Sequence, residues 1–273
     1  MKKIITLLLC LVSALCLCTS CRKKNENTIV IGTMEIPGQI ILDYIKPEFE
    51  KRGYELDIKI YSDFSMPNVA LEEGSIDINL FQHTAYLNKY NQANGSDLVS
   101  VYEYYDCVYG GYTKKAISSV EQIPNGSKVT IASDASNMSR CLFILESCGL
   151  ITLKEGTVTA TLNDIVSNPK NLDIIPMNTK FLASSLDDDD TYLSVVNATY
   201  AIPAGLNSNH LLCKENDPEH VNANILAVRS EDKDAEWLKV LIEVLSSDDV
   251  KKFIETRFKG TIIPYCKEPK KNA

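Results

Sequence analysis

Hydrophobic and polar positions along this chain follow two alternating periods. Thr28–Thr33 is a short apolar run and Glu55–Tyr61 alternates apolar with polar residues, which predicts two strands, whereas Gln39–Arg52 repeats its apolar residues at helical spacing. The same order continues with a helix at Met66–Glu73, a strand at Ile76–Leu80, a helix at Thr84–Asn94 and a strand at Leu98–Tyr105. This alternation is typical of an α/β fold with a parallel sheet.

A second series of elements follows residue 112. It is predicted to comprise strands at Lys128–Ala132, Leu172–Ile175, Leu193–Val196 and Asn224–Arg229, and helices at Asn137–Gly149 and Thr179–Leu186. The chain then ends in helices without a sheet of their own, so we expect them to pack on the first unit. We predict two lobes, with lobe I formed by residues 28–112 plus 226–273 and lobe II by residues 113–225. Because two crossings between lobes make a hinge, a ligand is expected to bind in the cleft.

Composition and charge narrow the class of protein. The 273 residues are 45% hydrophobic and carry a formal net charge of −8. The hydrophobic fraction is that of a globular protein with a core. An acidic chain argues against nucleic acid as a partner, because phosphate binding requires a basic face.

The N-terminal segment is predicted to be a targeting signal. The segment begins with a methionine and two lysines, which give it a positive charge. The apolar run that follows, over residues 4–18, is shorter than the roughly 20 residues that a membrane span needs. Small residues before Cys21 and a polar segment after it are typical of a bacterial lipoprotein signal. Residues 1–20 would be removed as the signal peptide, and Cys21 would then carry the lipid, including palmitate. Residues 21–27 would form a tether to a membrane of the bacterial cell envelope, either on the periplasmic side or at the cell surface. The alternative is a secretory signal that is cleaved elsewhere and leaves no lipid.

Cysteine usage does not predict a disulfide framework or a metal site. Four of the nine cysteines lie in the signal or at the proposed lipid site. The remaining five are odd in number, and their spacing fits no metal-binding motif. We therefore expect free thiols and no metal ion; these residues are Cys107, Cys141, Cys148, Cys213 and Cys266.

Aromatic residues cluster around the end of one predicted strand. Phe64 precedes it, Phe81 and His83 directly follow its last residue, and Tyr86 lies in the first turn of the next helix. Such surfaces can hold an alkyl or thioether chain, because sulfur contacts aromatic rings favourably. We interpret the cluster as the wall of a pocket for a small, partly apolar ligand, against the alternative that His83 is a structural core residue.

Two further stretches offer polar groups. Residues 133–140 open a helix, where Arg140 could hold a carboxylate through two parallel hydrogen bonds. Residues 196–200 follow a strand and contain Asn197, whose amide could bind either end of a zwitterion. Taken alone, these are equally typical of a capped helix with a surface arginine and of a turn asparagine.

Taken together, these stretches resemble the NlpA/MetQ family of methionine-binding lipoproteins, the substrate-binding components of ABC importers. The resemblance covers the chain from about Thr28 to Pro264, with DFSMPNVALEEGSIDINLFQH at 63–83 and SDASNMSR at 133–140 as its longest matches. It implies a two-lobed periplasmic-binding-protein fold, type II-like, with the ligand cleft between the lobes. It also implies a ligand-binding set in which Arg140 holds the ligand carboxylate and Asn137 and Asn197 bind the carboxylate and ammonium. The implied side-chain wall consists of Phe64, Phe81, His83, Tyr86 and Tyr200.

The resemblance implies capture of L-methionine or a close relative and its delivery to a permease and its ATPase, without catalysis and without a cofactor. Several positions differ from the family pattern, among them Ala85, Ser139, Ala198 and Thr199. These differences leave open another amino acid, D-methionine or a Met-containing dipeptide, because one methyl group at a pocket wall retunes selectivity. A surface lipoprotein with a role in adhesion or sensing is a further alternative. An enzyme would require a nucleophile beside a base, and only Cys107 with His83 could be considered for it.

Overall fold

The apolar runs of the sequence form the strands of two separate sheets. The computed structural model describes residues 27–268, so the predicted signal, Cys21 and the tether up to residue 26 lie outside the described residues. Within that range the strands are β1 (Thr28–Met34), β2 (Glu55–Tyr61), β3 (Ile78–His83), β4 (Val99–Cys107), β5 (Tyr109–Tyr112), β6 (Lys128–Ala132), β7 (Thr152–Leu153), β8 (Ile165–Ser167), β9 (Asp173–Met177), β10 (Thr191–Asn197), β11 (Leu211–Lys214), β12 (Asn224–Val228) and β13 (Ile262–Lys267).

Helices occupy most of the connections between these strands. The α-helices are α1 (Ile40–Lys51), α2 (Pro67–Glu72), α3 (Thr84–Asn94), α4 (Ala135–Ser147), α5 (Leu182–Ser185), α6 (Ala198–Ala201), α7 (Glu236–Leu245) and α8 (Asp248–Phe258). A π-helical turn at Glu35–Gln39 precedes α1, and short 3₁₀ turns lie at Val120–Gln122, Leu162–Asp164, Thr179–Phe181 and Ser230–Asp232. The predicted α/β class is confirmed.

The first sheet has the order β13-β4-β12-β3-β1-β2 and is mixed rather than parallel. β1 runs parallel to β2 and β3, but β12 is antiparallel to both β3 and β4. The reason is the path of the chain. β3 and β4 both end at the side that faces the second sheet, whereas β12 begins there, with Asn224 opposite His83 and Tyr105.

The second sheet has the order β11-β5-β10-β6-β9. Its centre is parallel, since β6 pairs in parallel with β9 and β10, while β5 is antiparallel to β10 and β11. A core of its own lies between this sheet and α4, with Leu142, Leu145 and Val195 among its fully buried residues. The two sheets therefore belong to two units, each with its own core.

The first crossing between the units lies earlier than the sequence predicted. β4 of the first sheet ends at Cys107 and β5 of the second begins at Tyr109, so the chain crosses at Val108 and not near Tyr112. The segment Tyr109–Tyr112, which the sequence pattern places in lobe I, is thus part of the second sheet. The return crossing runs between β11 and β12.

Two glycines explain why β5 was missed. Gly110 and Gly111 carry no side chain that could contribute to a strand pattern. They fit the close packing at this position, because an added Cβ would lie 2.5 Å from Cδ1 of Leu211 at Gly110 and 2.7 Å from Sγ of Cys213 at Gly111, so these side chains would have to shift. They allow the edge strand β11 to approach β5 closely.

The C-terminal helices pack on the first unit, as expected from the sequence. Leu238, Leu241 and Ile254 share a core with Ile41 and Phe49 of α1. The prediction of helices alone was incomplete, however, because β13 follows α8 and pairs with β4 at the edge of the first sheet. Its six residues include a proline, which is tolerated at an edge and weakens the strand pattern.

The described residues give no sign of a membrane span or a metal centre. No helix between residues 27 and 268 has both the length and the apolar character needed to cross a bilayer. The same part of the chain holds no group of three or more His, Cys, Asp or Glu side chains placed to ligate a metal ion. All five cysteines of the body are free, two of them buried and three half-buried.

Candidate functional site

A narrow cavity with a free volume of about 10 Å³ lies between the two units. From the first unit come the loop after β2, the end of β3, the start of α3 and the first residue of β12, and from the second the first turn of α4 and the end of β10. The lining residues are Phe64, Phe81, Gln82, His83, Tyr86, Asn137, Asn197 and Asn224. The structure thus brings six of the predicted site residues around one space and adds Gln82 and Asn224.

Aromatic rings form one wall of the cavity. The ring of Phe64 lies 5.9 Å from that of Phe81, 6.3 Å from that of Tyr86 and 5.3 Å from that of Tyr200, measured between centroids. These spacings are those of tilted and edge-to-face aromatic pairs. Tyr86 also donates its hydroxyl hydrogen to the Phe64 carbonyl at 3.0 Å, which fixes the loop. Tyr200 does not line the cavity; it supports Phe64 from the second unit.

His83 ends β3 and caps α3. Its Nδ1 accepts a hydrogen bond from the Tyr86 N–H at 3.4 Å, so the proton of the neutral ring resides on Nε2, which lies 3.2 Å from Oδ1 of Asn137. Burial, and after it the nearby charge of Arg140, lower the pKa of His83 to about 4. The imidazole is therefore neutral at pH 7 and donates to Asn137.

Asn137 is oriented by the acid that caps its helix. Asp134 accepts from the backbone N–H of Asn137 at 3.0 Å and from its side-chain Nδ2 at 3.1 Å. Because Nδ2 is engaged there, Oδ1 is turned toward His83. The capping of this helix by Asp134, which the sequence also allowed for residues 133–140, thus positions the Asn137 amide in the cavity wall.

Asn197 is held in a similar way at the end of β10. Its Oδ1 accepts from the Thr199 N–H at 2.8 Å and from the Cys107 thiol at 3.0 Å. These bonds direct the acceptor atom toward the protein and leave the two Nδ2 hydrogens as donors at the wall. Asn197 can therefore bind a carboxylate or carbonyl oxygen of a ligand.

Gln82 belongs to a buried network of amides below the cavity. Its Oε1 accepts from Asn68 at 2.8 Å, and its Nε2 donates to Asn68 at 2.6 Å and to Asn79 at 3.0 Å. All three residues are almost fully buried. Since this network uses both ends of the Gln82 amide, its role is to hold β3 and α2 together beneath Phe81 and His83.

Arg140 is where the structure departs most from the sequence-based expectation. Its Nε and Nη2 bind the two carboxylate oxygens of Glu215, and Nη2 also donates to the Cys107 carbonyl at 3.0 Å. The sequence predicted that Arg140 would form two parallel hydrogen bonds with a ligand carboxylate, but in the structure it forms them with Glu215. Arg140 lies on α4 and Asn197 on β10, so both belong to the second unit and not to opposite edges of the cleft.

Arg140 does not line the cavity, but it acts on two residues of the cavity wall. Its charge contributes to the lowered pKa of His83, and the residue whose carbonyl it binds, Cys107, donates its thiol hydrogen to Asn197. The side chain itself borders a separate, wider groove together with Glu215. Its Nη1 is buried and has no hydrogen-bond partner among residues 27–268.

The same geometry gives no support to a nucleophilic site. Cys107 is fully buried, burial raises the pKa of its thiol, and the sulfur contacts Asn197 and Thr199 rather than the ring of His83. A cysteine nucleophile needs a lowered pKa or an adjacent base. The arrangement can bind a small molecule but offers no chemistry on it.

Two units joined by two crossings, with a small cavity of aromatic rings and amides between them, define a two-lobed substrate-binding protein. A family model described as NlpA lipoprotein matches residues 29–266, and the chain belongs to this family. Its members are substrate-binding proteins of ABC transporters and not enzymes, as the sequence resemblance predicted.

Relatives and solved structures agree with this assignment. The chain is 35% identical over 242 residues to the D-methionine-binding lipoprotein MetQ of Salmonella typhi, covering 87% of this chain and 88% of that one. A nutrient-binding protein of Burkholderia cenocepacia, solved bound to methionine, superposes with a TM-score of 0.81 at 33% identity, covering 86% of this chain and 99% of that one. An ABC transporter periplasmic substrate-binding protein of Coxiella burnetii superposes with a TM-score of 0.82 at 36% identity, covering 87% and 100%. The predicted two-lobed fold is confirmed.

Proposed function

We propose that this protein captures L-methionine, or a close relative of it, and delivers it to the permease of an ABC importer. The observation that carries the proposal is the cavity between the units, which combines an aromatic wall with the amides of Asn137, Asn197 and Asn224. The cavity has a free volume of about 10 Å³ in this structure, so the lobes must move apart to admit a ligand and close again around it.

The chemistry of the wall supports an apolar side chain that contains sulfur. Phe64, Phe81 and Tyr86 present ring faces and edges that suit a thioether, whose contacts with aromatic rings contribute about 0.3–1.5 kcal/mol each. The amides are neutral and supply both donors and acceptors, which suits the two ends of a zwitterion. We assign the carboxylate to the Nδ2 of Asn197 and the free Nη1 of Arg140, and the ammonium to the amide oxygen of Asn224.

The relatives support both the ligand and the transport role. The Salmonella typhi protein is named for binding D-methionine, and the Burkholderia cenocepacia protein was solved with methionine. The Coxiella burnetii protein is described as the periplasmic substrate-binding part of an ABC transporter. By inference from these proteins, the partners of this chain are a permease and its ATPase.

A lipid on Cys21 would keep the protein at the membrane that holds the permease. The family is one of lipoproteins, and the sequence around Cys21 fits a lipoprotein signal. The role requires residence in the bacterial cell envelope, where the ligand is captured before import. Cleavage before Cys21 and acylation of its sulfur and amino group are checked by mass spectrometry of the protein isolated from membranes.

Thermal-shift screening tests the ligand assignment. The purified protein is melted with each of the twenty amino acids, with D-methionine and with dipeptides that contain methionine. At a concentration a hundred times Kd, a ligand adds about 2.7 kcal/mol of stability, which raises the Tm of a protein of this size by roughly 5–10 °C. We expect L-methionine to give the largest rise. If no amino acid or dipeptide shifts the Tm, the protein is not a carrier of these ligands.

A further inference from the structure

A buried pair of opposite charges lies beside the cavity. The side chains of Arg140 and Glu215 are 5% and 10% exposed and are joined through two parallel hydrogen bonds. The guanidinium also lies over the ring of Tyr109, 4.6 Å from its centroid. Bidentate pairing of this kind fixes both side chains and cancels their charges inside the protein.

Glu215 is itself held from two directions. Its backbone N–H donates to the Tyr109 carbonyl at 2.9 Å, and its Oε1 accepts from Nδ2 of Asn222 at 3.0 Å. Tyr109 begins the second sheet after the first crossing, and Asn222 lies on the return crossing. Through Tyr109 and Asn222, the Arg140–Glu215 pair is therefore hydrogen-bonded to both segments that connect the lobes.

The other charges around the cavity are already compensated. His83 is neutral, Asp63 at the rim pairs with Lys180 at 3.5 Å, and Asp134 is half-buried at the N-terminus of α4, where the helix dipole offsets its charge. Asp106, further along the hinge, binds His220. Asp217, whose negative charge also acts on His83, accepts from the backbone N–H groups of Val221 and Asn222. Without Glu215 the guanidinium of Arg140 would therefore lose its ion-pair partner.

We propose that Glu215 determines the charge selectivity of the site, because it neutralises Arg140 and so restricts the cavity to ligands of zero net charge. This inference rests on the proposed function. A zwitterionic amino acid enters such a site without adding net charge, whereas the corresponding acid without its ammonium group brings an unbalanced negative charge into a buried space. Arg140 keeps one donor for the ligand carboxylate, its partnerless Nη1, while Glu215 satisfies Nε and Nη2.

The test compares methionine with 4-(methylthio)butanoate, which has the same thioether and carboxylate but lacks the ammonium group. Both are titrated by calorimetry into the wild type, Glu215→Gln, Glu215→Asp and the exposed control Glu219→Gln. In Glu215→Gln the ratio of the two Kd values should shift toward the butanoate by at least about tenfold, as expected for one uncompensated charge near a partly buried carboxylate. The Asp variant and the control should keep the wild-type ratio.

Equal weakening of both ligands in Glu215→Gln would overturn the proposal, because it would show that Glu215 only supports the fold. A second arm does not depend on methionine. In Glu215→Ala, sodium acetate should raise the Tm above that in sodium chloride of equal ionic strength, since a small carboxylate can replace the missing one, while the wild type and Glu219→Gln should show no difference. Failure of the wild type to bind methionine contradicts the proposed function, whereas lack of an acetate effect contradicts the role of Glu215.

Discussion

The imidazole of His83 and the side-chain amide of Asn137 join the two lobes directly, with Nε2 3.2 Å from Oδ1. His83 ends a strand of the first sheet, and Asn137 lies in the first turn of the helix that packs on the second. The donor role of Nε2 and the acceptor role of Oδ1 are each set by a second hydrogen bond within the residue's own lobe. This hydrogen bond, whose two partners are each positioned within their own lobe, therefore links the lobes at the cavity.

The burial of His83 predicts a pH dependence of stability. Its folded-state pKa is about 4 and its ordinary value is 6.5, so the unfolded chain binds the proton more readily between these values. The free energy of unfolding should therefore fall as pH decreases from 6.5 to 4 and level off below, by at most about 3 kcal/mol from this residue. Urea unfolding at a series of pH values measures the effect.

His83→Gln should remove this part of the pH dependence, and His210→Gln should retain it. The difference between the two variants isolates His83 from other groups, such as Asp106, whose pKa is raised by burial and whose contribution has the opposite sign. If the His83→Gln protein loses stability toward pH 4 as steeply as the His210→Gln protein, the imidazole is not held neutral by its surroundings.

A double-mutant cycle tests the bond between the lobes. His83→Ala and Asn137→Ala are made singly and together, and the free energies of unfolding are compared. Two residues in contact through a buried hydrogen bond should couple by about 0.5–3 kcal/mol. The same cycle with the exposed Asn207→Ala in place of Asn137→Ala should be additive. Additivity in both cycles would mean that the two lobes are not joined by this pair.

The aromatic wall could be predicted from the sequence because its residues are close along the chain. Phe81 and His83 alternate on one strand, and Tyr86 follows in the next helix, so the pattern itself places them near one another. Asn137 and Asn197 each follow or end a predicted strand, which places them near the carboxyl ends of neighbouring strands. Asn224 begins a strand that the sequence also predicted, yet its place in the cavity depends on the antiparallel return of that strand, which the sequence pattern does not reveal.

The partner of Arg140 could not be predicted for a related reason. Glu215 is 75 residues further along the chain and follows the short edge strand β11, which has no distinct hydrophobic pattern. The edge strand β13 and the glycine-rich β5 were missed on the same grounds. Periodicity identifies elements that bury one face, whereas pairing between distant edges depends on the completed fold.

Removing the Arg140 guanidinium should affect both ligand binding and stability. Arg140→Ala deprives the ligand carboxylate of a buried donor, which should cost at least about 2 kcal/mol of affinity for methionine. It also leaves Glu215 buried without its partner, which should lower the free energy of unfolding by about 3–5 kcal/mol. Calorimetry and urea unfolding measure the two effects separately, with the exposed Arg257→Ala as a control.

The double variant Arg140→Ala with Glu215→Ala separates these two contributions. Without either charge the buried site is no longer unbalanced, so part of the lost stability should return, while methionine affinity should stay low. Wild-type affinity in a folded Arg140→Ala protein would show that Arg140 does not contact the ligand and that its function lies in the hinge alone.

The ring of Phe81 should matter for the ligand side chain and not for its polar head. Phe81 is 6% exposed and forms the aromatic wall with Phe64 and Tyr86. Phe81→Ala should weaken methionine binding by about 1–3 kcal/mol, because a long apolar side chain loses its contacts, and should change alanine binding much less. Calorimetric titration of both amino acids into the folded variant gives the ratio. Phe143→Ala is the matched control, since Phe143 borders the wider groove and not the cavity, and it should leave that ratio unchanged. Equal losses for the two amino acids in Phe81→Ala would place the ligand side chain away from this ring.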